Sequence, residues 1–484
     1  MPIPLDHFHL DPGAGGTLQQ RIRQMVAGGI LAGRFRPGDR LPSSRKLAAH
    51  LGVSRITVTL AYADLVADDY LAAADRSGYF VSDSAPDPAT APTPLPAVST
   101  VDWSRALTCR PTGLGLAKPA DWRDFRYPFL YGQPDPALMD SAGWRLCALQ
   151  TLGKRDFVEV GADREDADDP QLVEVLIRQI LPRRGIAATP DEVLVTLGAQ
   201  NALWTTAQLL LGPGRHAAVE DPCYPALRHI VTGTKARLTP VPVDTDGLPP
   251  DALPRDTDVV FVTPSHQCPT AATMPAQRRD ALLDHAETND LLVVEDDYDF
   301  EMAFLGAPQP ALKSRDRTGR VIHIGSFSKS LYPGLRLGYL VGPAPFIAAA
   351  RALRAQVLRH PPGQIQRTAA RYMALGHYDA HITRLKAALH ARRRILDEAL
   401  DRHALRIEGV GVYGGSSVWL RTRAGIDTRR LAQDLRARDV LIEPGAPFFA
   451  GTDAPTEYIR LAYSSIPQGR IPEGIARIAA AIWT

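Results

Sequence analysis

Cysteine is scarce in this chain of 484 residues: Cys109, Cys147, Cys223 and Cys268 are the four. They stand far apart, with no pair at metal-ligand spacing and no dense disulfide pattern, so neither a metal module nor a stapled secreted scaffold is expected. A reducing compartment fits. An excess of one charge is also missing, because 55 Lys and Arg against 53 Asp and Glu leave +2 at pH 7. As an average, that balance argues against a polyanion binder. Long hydrophobic runs are absent too. The longest uncharged stretch, Val193 to Gly214, contains Thr196, Gln200, Asn201 and Gln208, and reads as strand, loop and helix instead of a membrane span. The first ten residues hold Asp6, His7 and His9 where a secretory signal would place a basic start and an apolar stretch. No repeat period is present. The expectation is a soluble cytoplasmic protein with no membrane partner.

The apolar fraction of 45% and charged fraction of 22% are those of globular chains. The length exceeds the roughly 100–200 residues usual for one domain. Between Ser82 and Thr100 the composition shifts: Pro86, Pro88, Pro92, Pro94 and Pro96 alternate with Ala, Thr and Asp. Proline stiffens such a segment towards an extended form, so it reads as a semi-rigid linker between a small unit and a large one.

In the small unit, Leu18, Ile22, Met25, Val26 and Ile30 recur at helical spacing behind a cap at Thr17. Next, Ser43 can cap a short helix, Gly52 can close it in a left-handed conformation, and Ser54 can cap the next one. Two short helices around a glycine turn form a helix-turn-helix, with the helix from Arg55 to Leu65 as its reading element. Strands around Tyr70–Ala72 and Tyr79–Val81, bending at Gly78, would add a wing. Charge is concentrated here: Arg34, Arg36, Arg40, Arg45, Lys46 and Arg55 stand against Asp39 alone. The first 82 residues carry nine basic and seven acidic groups, which is the whole net charge of the chain. The average therefore hides a basic face suited to phosphates.

The run LPSSRKLAAHLGVSRITVTLAYADL followed by RSGYFV resembles the winged helix of the GntR family of bacterial regulators, over most of residues 14–82. The resemblance implies double-stranded operator DNA as partner, with contacts from Ser44, Arg45, Ser54, Arg55 and Thr57, and from Gly78 in the wing. One departure is Asp68-Asp69-Tyr70, where the family usually has one acidic residue and a glycine; it alters the hinge before the wing.

The large unit alternates short apolar runs with helical patterns. Val193–Leu197, Ala217–Val219, Val259–Val262, Leu291–Val294 and Val321–Ile324 read as buried strands, each followed by turn residues. That rhythm predicts an α/β fold with a mostly parallel sheet, whose ligands gather at the carboxyl ends of the strands. Directly after one strand comes SFSKSLYPGLR, residues 326–336. A lysine among small hydroxyl residues can form a Schiff base if its amine is kept unprotonated, and Arg336 supplies a fork suited to phosphate. Glu295-Asp296-Asp297-Tyr298 ends another strand, where a carboxylate can pair with a pyridine nitrogen. Thr196-Leu197-Gly198-Ala199-Gln200 opens a helix whose free N–H groups can cradle an anion. Tyr224 follows Glu220-Asp221-Pro222-Cys223, and Arg460 lies in the apolar run Tyr458–Tyr463.

In their order along the chain the five segments resemble those of fold-type I aminotransferases, over roughly residues 120–484. The two halves together resemble the MocR subfamily of GntR regulators: winged helix-turn-helix at 14–82, Pro-rich linker at 83–118, and an aminotransferase-like effector domain with a small C-terminal subdomain at 119–484. The resemblance implies pyridoxal 5'-phosphate bound on Lys329. Asp296, with Asp297 as the alternative, would face its ring nitrogen, Tyr298 its ring oxygen and Tyr224 its ring face. Gly198, Ala199, Gln200, Ser326, Ser328 and Arg336 would hold its phosphate end. It further implies an amino-group ligand that forms an external aldimine with its carboxylate on Arg460, a head-to-tail homodimer, and at most a residual transaminase half-reaction. A working aminotransferase, a vitamin B6 regulator sensing the cofactor itself, and a fold kept as a structural relic without cofactor are the alternatives.

Two segments depart from the aminotransferase pattern. Gln267-Cys268-Pro269-Thr270-Ala271 stands where many members have Asn-Pro-Thr-Gly, and GADREDADDPQL at 161–172 lacks the usual Tyr and Gly. The stretches YPFLYGQPDP, LPRRGI and GAQNALW further resemble regulators of ectoine utilisation, in what reads as scaffold and not as ligand contact.

Overall fold

The computed structural model describes residues 2–11, 13, 15–74, 77–86, 101–107, 118–409 and 413–483. The linker prolines from Pro88 to Pro96, Cys109, Asp75 and Arg76 lie outside the described residues. The chain forms two compact units, Met1–Arg110 and Pro111–Thr484, each with its own core.

In the small unit, Thr17 and Gln20 form a reciprocal capping box at the start of α1 (Leu18–Leu31). Ser43 accepts from Lys46 N–H to start α2 (Ser44–Leu51), and Gly52, at φ +65°, ends it. Ser54 accepts from Thr57 N–H to start α3 (Arg55–Ala67). Ile22, Val26, Leu47, Val58, Tyr62 and Leu65 are fully buried between the three helices, each worth roughly 1.5–3 kcal/mol on burial. Leu18, in the helical pattern but on the first turn, stays 45% exposed. The wing is the antiparallel pair β1 (Leu71–Ala74) and β2 (Gly78–Val81), its first strand one to two residues later than expected. Asp69, standing where a glycine was expected, takes the left-handed conformation at φ +59°. Beyond the wing, Ala85 packs into the small core and Trp103–Ala106 forms one helical turn.

The large unit is built on seven strands: β3 (Val193–Thr196), β4 (His216–Asp221), β5 (Arg237–Pro242), β6 (Val259–Val262), β7 (Leu292–Asp297), β8 (Val321–Ser326) and β9 (Gly338–Val341). Their spatial order is β3-β9-β8-β7-β6-β4-β5, and β9 alone runs antiparallel to its neighbours. Both faces are covered, which is why the strands read as continuous apolar runs. Leu194, Val219, Phe261, Val294 and Ile324 pack on one side with Ala202 and Leu203 of α4 (Ala199–Leu210). Val260, Val262, Val293 and Val321 pack on the other. A small antiparallel sheet of β10 (Ser417–Arg421), β11 (Glu443–Pro444) and β12 (Tyr458–Ala462) lies in the C-terminal subdomain, with β12 central. Among the described residues no helix is long and apolar enough to cross a membrane.

Candidate functional site

The carboxyl ends of β3, β4, β7 and β8 and the middle of β12 surround one cavity of about 240 Å³. Lys329, Asp296, Tyr298, Tyr224, Ala199 and Gln200 line it, as do Ser326, Ser328, Arg336 and Arg460. Gly198 lies just behind: its φ is +82°, and a Cβ there would sit 3.2 Å from Arg336 Nη2. Residues from positions 198 to 336 are thus brought together because parallel strands end on one edge, and the small antiparallel sheet brings Arg460 to the same cavity.

At the anion end, α4 starts at Ala199 with no side-chain cap, so its first N–H groups face the cavity unspent. Arg336 is held against this turn by a 3.0 Å hydrogen bond from Nη2 to the Leu197 carbonyl. Tyr224 donates to Gln200 Oε1 at 3.4 Å. At the opposite end Asp296 is enclosed and its Oδ1 has no hydrogen-bond partner among the described residues. Burial, reinforced by the neighbouring Asp297 charge, pushes its carboxyl up to about 7. Asp297, the alternative, is turned away and bound by Arg184 Nε at 2.6 Å. Burial also pulls the Lys329 amine down to about 7, with the like charge of Lys118 adding to the effect. A lysine in this state is free to act as a nucleophile near neutral pH.

Several cavity residues, Tyr131, Glu443 and Lys118 among them, were not singled out from the sequence. The Tyr131 ring lies 3.9 Å from Lys329 Nζ and 4.1 Å from the Arg460 guanidinium carbon, measured to its centroid, so both groups pack against it. Glu443 accepts from Arg460 Nε at 3.0 Å and from Tyr131 N–H at 3.2 Å. Burial works to lower the Arg460 pKa, but Glu443, Cys268 and Tyr131 together outweigh it and the guanidinium ends above its ordinary value. Arg460 is therefore half engaged before any ligand arrives. Lys118 and Cys268 complete this wall, and burial pushes the Cys268 thiol up to about 12. Tyr131 belongs to YPFLYGQPDP, and Ala199, Gln200 and Leu203 belong to GAQNALW. The first of these segments was read as scaffold, yet its Tyr131 forms cavity wall; the second already held Ala199 and Gln200, named for the phosphate end.

The departing segments have structural work. Gln267 is buried and its amide donates to Pro222, Cys268 and Glu220, so it builds the turn while Cys268 takes the cavity position. Ala271, where the pattern has glycine, sits at φ +63°. In the 161–172 segment, Asp168 is paired with Arg351 and Arg354, and Asp169 with Arg367.

In the small unit, Arg45, Arg55 and Gly78 are exposed and Ser44 and Thr57 half-buried. Ser54 and Thr57 also share a 3.1 Å hydroxyl contact, so both hydroxyls are committed to the helix cap. A Cβ on Gly78 would lie 3.8 Å from the Arg40 guanidinium, which links the wing glycine to the basic face.

A winged helix-turn-helix and an aminotransferase fold with a buried lysine at its strand ends, in one chain, define a regulator with an enzyme-derived second domain. Residues 18–81 match the family model for bacterial regulatory proteins of the gntR family, and residues 166–478 that for aminotransferase class I and II. The chain is 58% identical to the HTH-type transcriptional regulator TauR of Rhodobacter capsulatus over 100% of both proteins. It is 35% identical to the HTH-type pyridoxine biosynthesis transcriptional regulator PdxR of Corynebacterium glutamicum, over 83% of this chain and 81% of that one. The crystal structure of Pyrococcus horikoshii kynurenine aminotransferase with PMP matches with a TM-score of 0.69 at 26% identity, covering 76% of this chain and 95% of that one. The chain belongs to the MocR subfamily of GntR-family transcriptional regulators.

Proposed function

We propose that this regulator holds pyridoxal 5'-phosphate in the large unit and uses it to sense a small amino-group ligand that changes how the small unit binds operator DNA. The residues present fit the group. Lys329 offers a near-neutral amine, the unpartnered Asp296 Oδ1 awaits a donor such as a ring N–H, and Arg336 with the start of α4 offers an anion seat. The observation that carries the reading is that Lys329 and Arg460 line one cavity, each within about 4 Å of the Tyr131 ring centroid.

When bound, pyridoxal phosphate supplies a carbonyl able to exchange one amine partner for another. Everything else falls to the chain. Lys329 supplies the resident amine. Asp296, at a pKa of about 7, shares or holds a proton at the ring nitrogen. Tyr298, Tyr224, Ser326 and Ser328 line the same cavity; Tyr298 would face the ring oxygen, Tyr224 would offer its ring face, and Ser326 and Ser328 would hold the phosphate end. Arg460 presents its remaining N–H groups to a ligand carboxylate, with Glu443 fixing its orientation. A ligand shifts DNA binding only as far as it binds the two conformations unequally. Paired winged helices on two half-sites imply a homodimer in the cytoplasm. Lys329→Ala should remove both the cofactor absorbance band and the ligand-dependent change in operator affinity; a normal response in that variant overturns the reading.

A second reading has support from the relative named for pyridoxine biosynthesis: the cofactor itself is the signal. Operator affinity that responds to pyridoxal phosphate alone, with no amine present, selects it.

A further inference from the structure

The outer face of α3 is unlike the rest of the basic surface around it. Ile56 is 69% exposed and Leu60 is 47% exposed. Four residues apart, they stand one above the other on one face of the helix. Packing does not ask for them there, because Val58, Ala61, Tyr62 and Leu65 already face the core.

The polar groups beside this pair are already used. Ser54 Oγ accepts from Thr57 N–H at 3.3 Å and touches the Thr57 hydroxyl. Thr59 turns its hydroxyl back to donate to the Arg55 carbonyl at 3.0 Å. From Arg55 to Leu60 the exposed surface thus offers one guanidinium, aliphatic carbon, and hydroxyls already engaged in hydrogen bonds. Around it Arg45, Lys46 and Arg55 are exposed and enter no ion pair among the described residues, a charge pattern complementary to a phosphate backbone.

A helix of this kind enters the major groove with its first turns against the base edges. The apolar feature that distinguishes base pairs there is the thymine 5-methyl group. We propose that Ile56 and Leu60 read thymine methyl groups in the operator, so that half-site specificity rests on apolar contact more than on hydroxyl or amide hydrogen bonds. This rests on the reading of the small unit as the operator-binding module.

The test uses the full-length protein and an operator duplex selected from a random pool, with single thymines replaced by deoxyuridine. That replacement deletes a methyl group and keeps base pairing. At one or two positions per half-site, affinity should fall about fivefold, the effect of roughly one methyl group losing its apolar contact. Ile56→Ala should bind the thymine and deoxyuridine duplexes equally at those positions. Lys46→Ala should weaken both alike and reduce the salt dependence. Deoxyuridine duplexes that bind as well as the parent, or an Ile56→Ala loss equal on both, overturn the proposal. An Ile56→Ala change in sedimentation mass without DNA would assign the face to a second copy of the chain, and also overturns it. Failure to select any operator would instead remove the DNA-binding reading beneath it.

Discussion

Glu443 and Arg460 face each other on adjacent antiparallel strands, carboxylate Oε2 to guanidinium Nε at 3.0 Å, and both side chains are buried. The pair fixes the arginine while leaving its terminal nitrogens towards the cavity. Removing one member of a buried pair strands the other charge, at a cost of about 3–5 kcal/mol. Glu443→Ala should lower the unfolding free energy of the large unit by that order, with Glu443→Gln costing less because it keeps an acceptor. Denaturant unfolding separates the two. Glu443→Gln should also tighten binding of an anionic ligand, since Arg460 then meets it unopposed; a spectral titration reads this.

Stability should depend on pH through the cavity residues, with opposite signs. Lys329 titrates at about 7 in the fold against 10.5 ordinarily. Between these values the unfolded chain binds the extra proton, so stability rises with pH across that window. Lys329→Met should flatten the rise. Asp296 is shifted from 3.8 to about 7, so the folded state keeps its proton longer and stability falls as pH climbs through that range. Asp296→Asn should remove that fall. Denaturation midpoints of the cofactor-free protein from pH 4 to 10 check both slopes.

Gly132 has φ +72°, and a Cβ there would land on Lys329 Nζ, with Lys118 Nζ 3.2 Å away. Gly132→Ala should therefore displace the lysine as well as pay about 1–2 kcal/mol of backbone strain. The expected outcome is a folded protein with lowered melting temperature and weakened uptake of pyridoxal phosphate, followed by absorbance titration.

Asp69 holds a left-handed conformation at the end of α3, where a glycine carries no Cβ penalty. Asp69→Gly should stabilise the small unit by about 0.5–1 kcal/mol, the left-handed strain relieved less the added freedom of the unfolded glycine. Thermal unfolding of the full chain, monitored in the transition of the small unit, checks it.

Much of the architecture can be read along the chain. Thr17, Ser43, Ser54 and Gly52 mark helix ends through bonds to residues only three or four positions away. Five apolar runs announce buried strands because both sheet faces are covered. Two strands escape such reading. Arg237–Pro242 carries Pro240 and Pro242, which a sheet tolerates at its edge, where β5 lies. Gly338–Val341 follows the Lys329 loop with only a short 3-10 turn at Pro333–Leu335 before it, so no strand-then-helix rhythm marks it.

The cofactor-type residues announce themselves because each sits in a local motif at a strand end. Tyr131, Glu443 and Lys118 carry no such motif. Glu443 reaches Arg460 through strand register, and Tyr131 reaches Lys329 across about two hundred positions of sequence. The charge state of Lys329, the choice of Asp296 over Asp297 at the cavity wall, and the engagement of Arg460 arise from burial and long-range pairing. Periodicity, caps and motif order are properties of neighbours in sequence; desolvation and the meeting of distant charges exist only once the chain has folded.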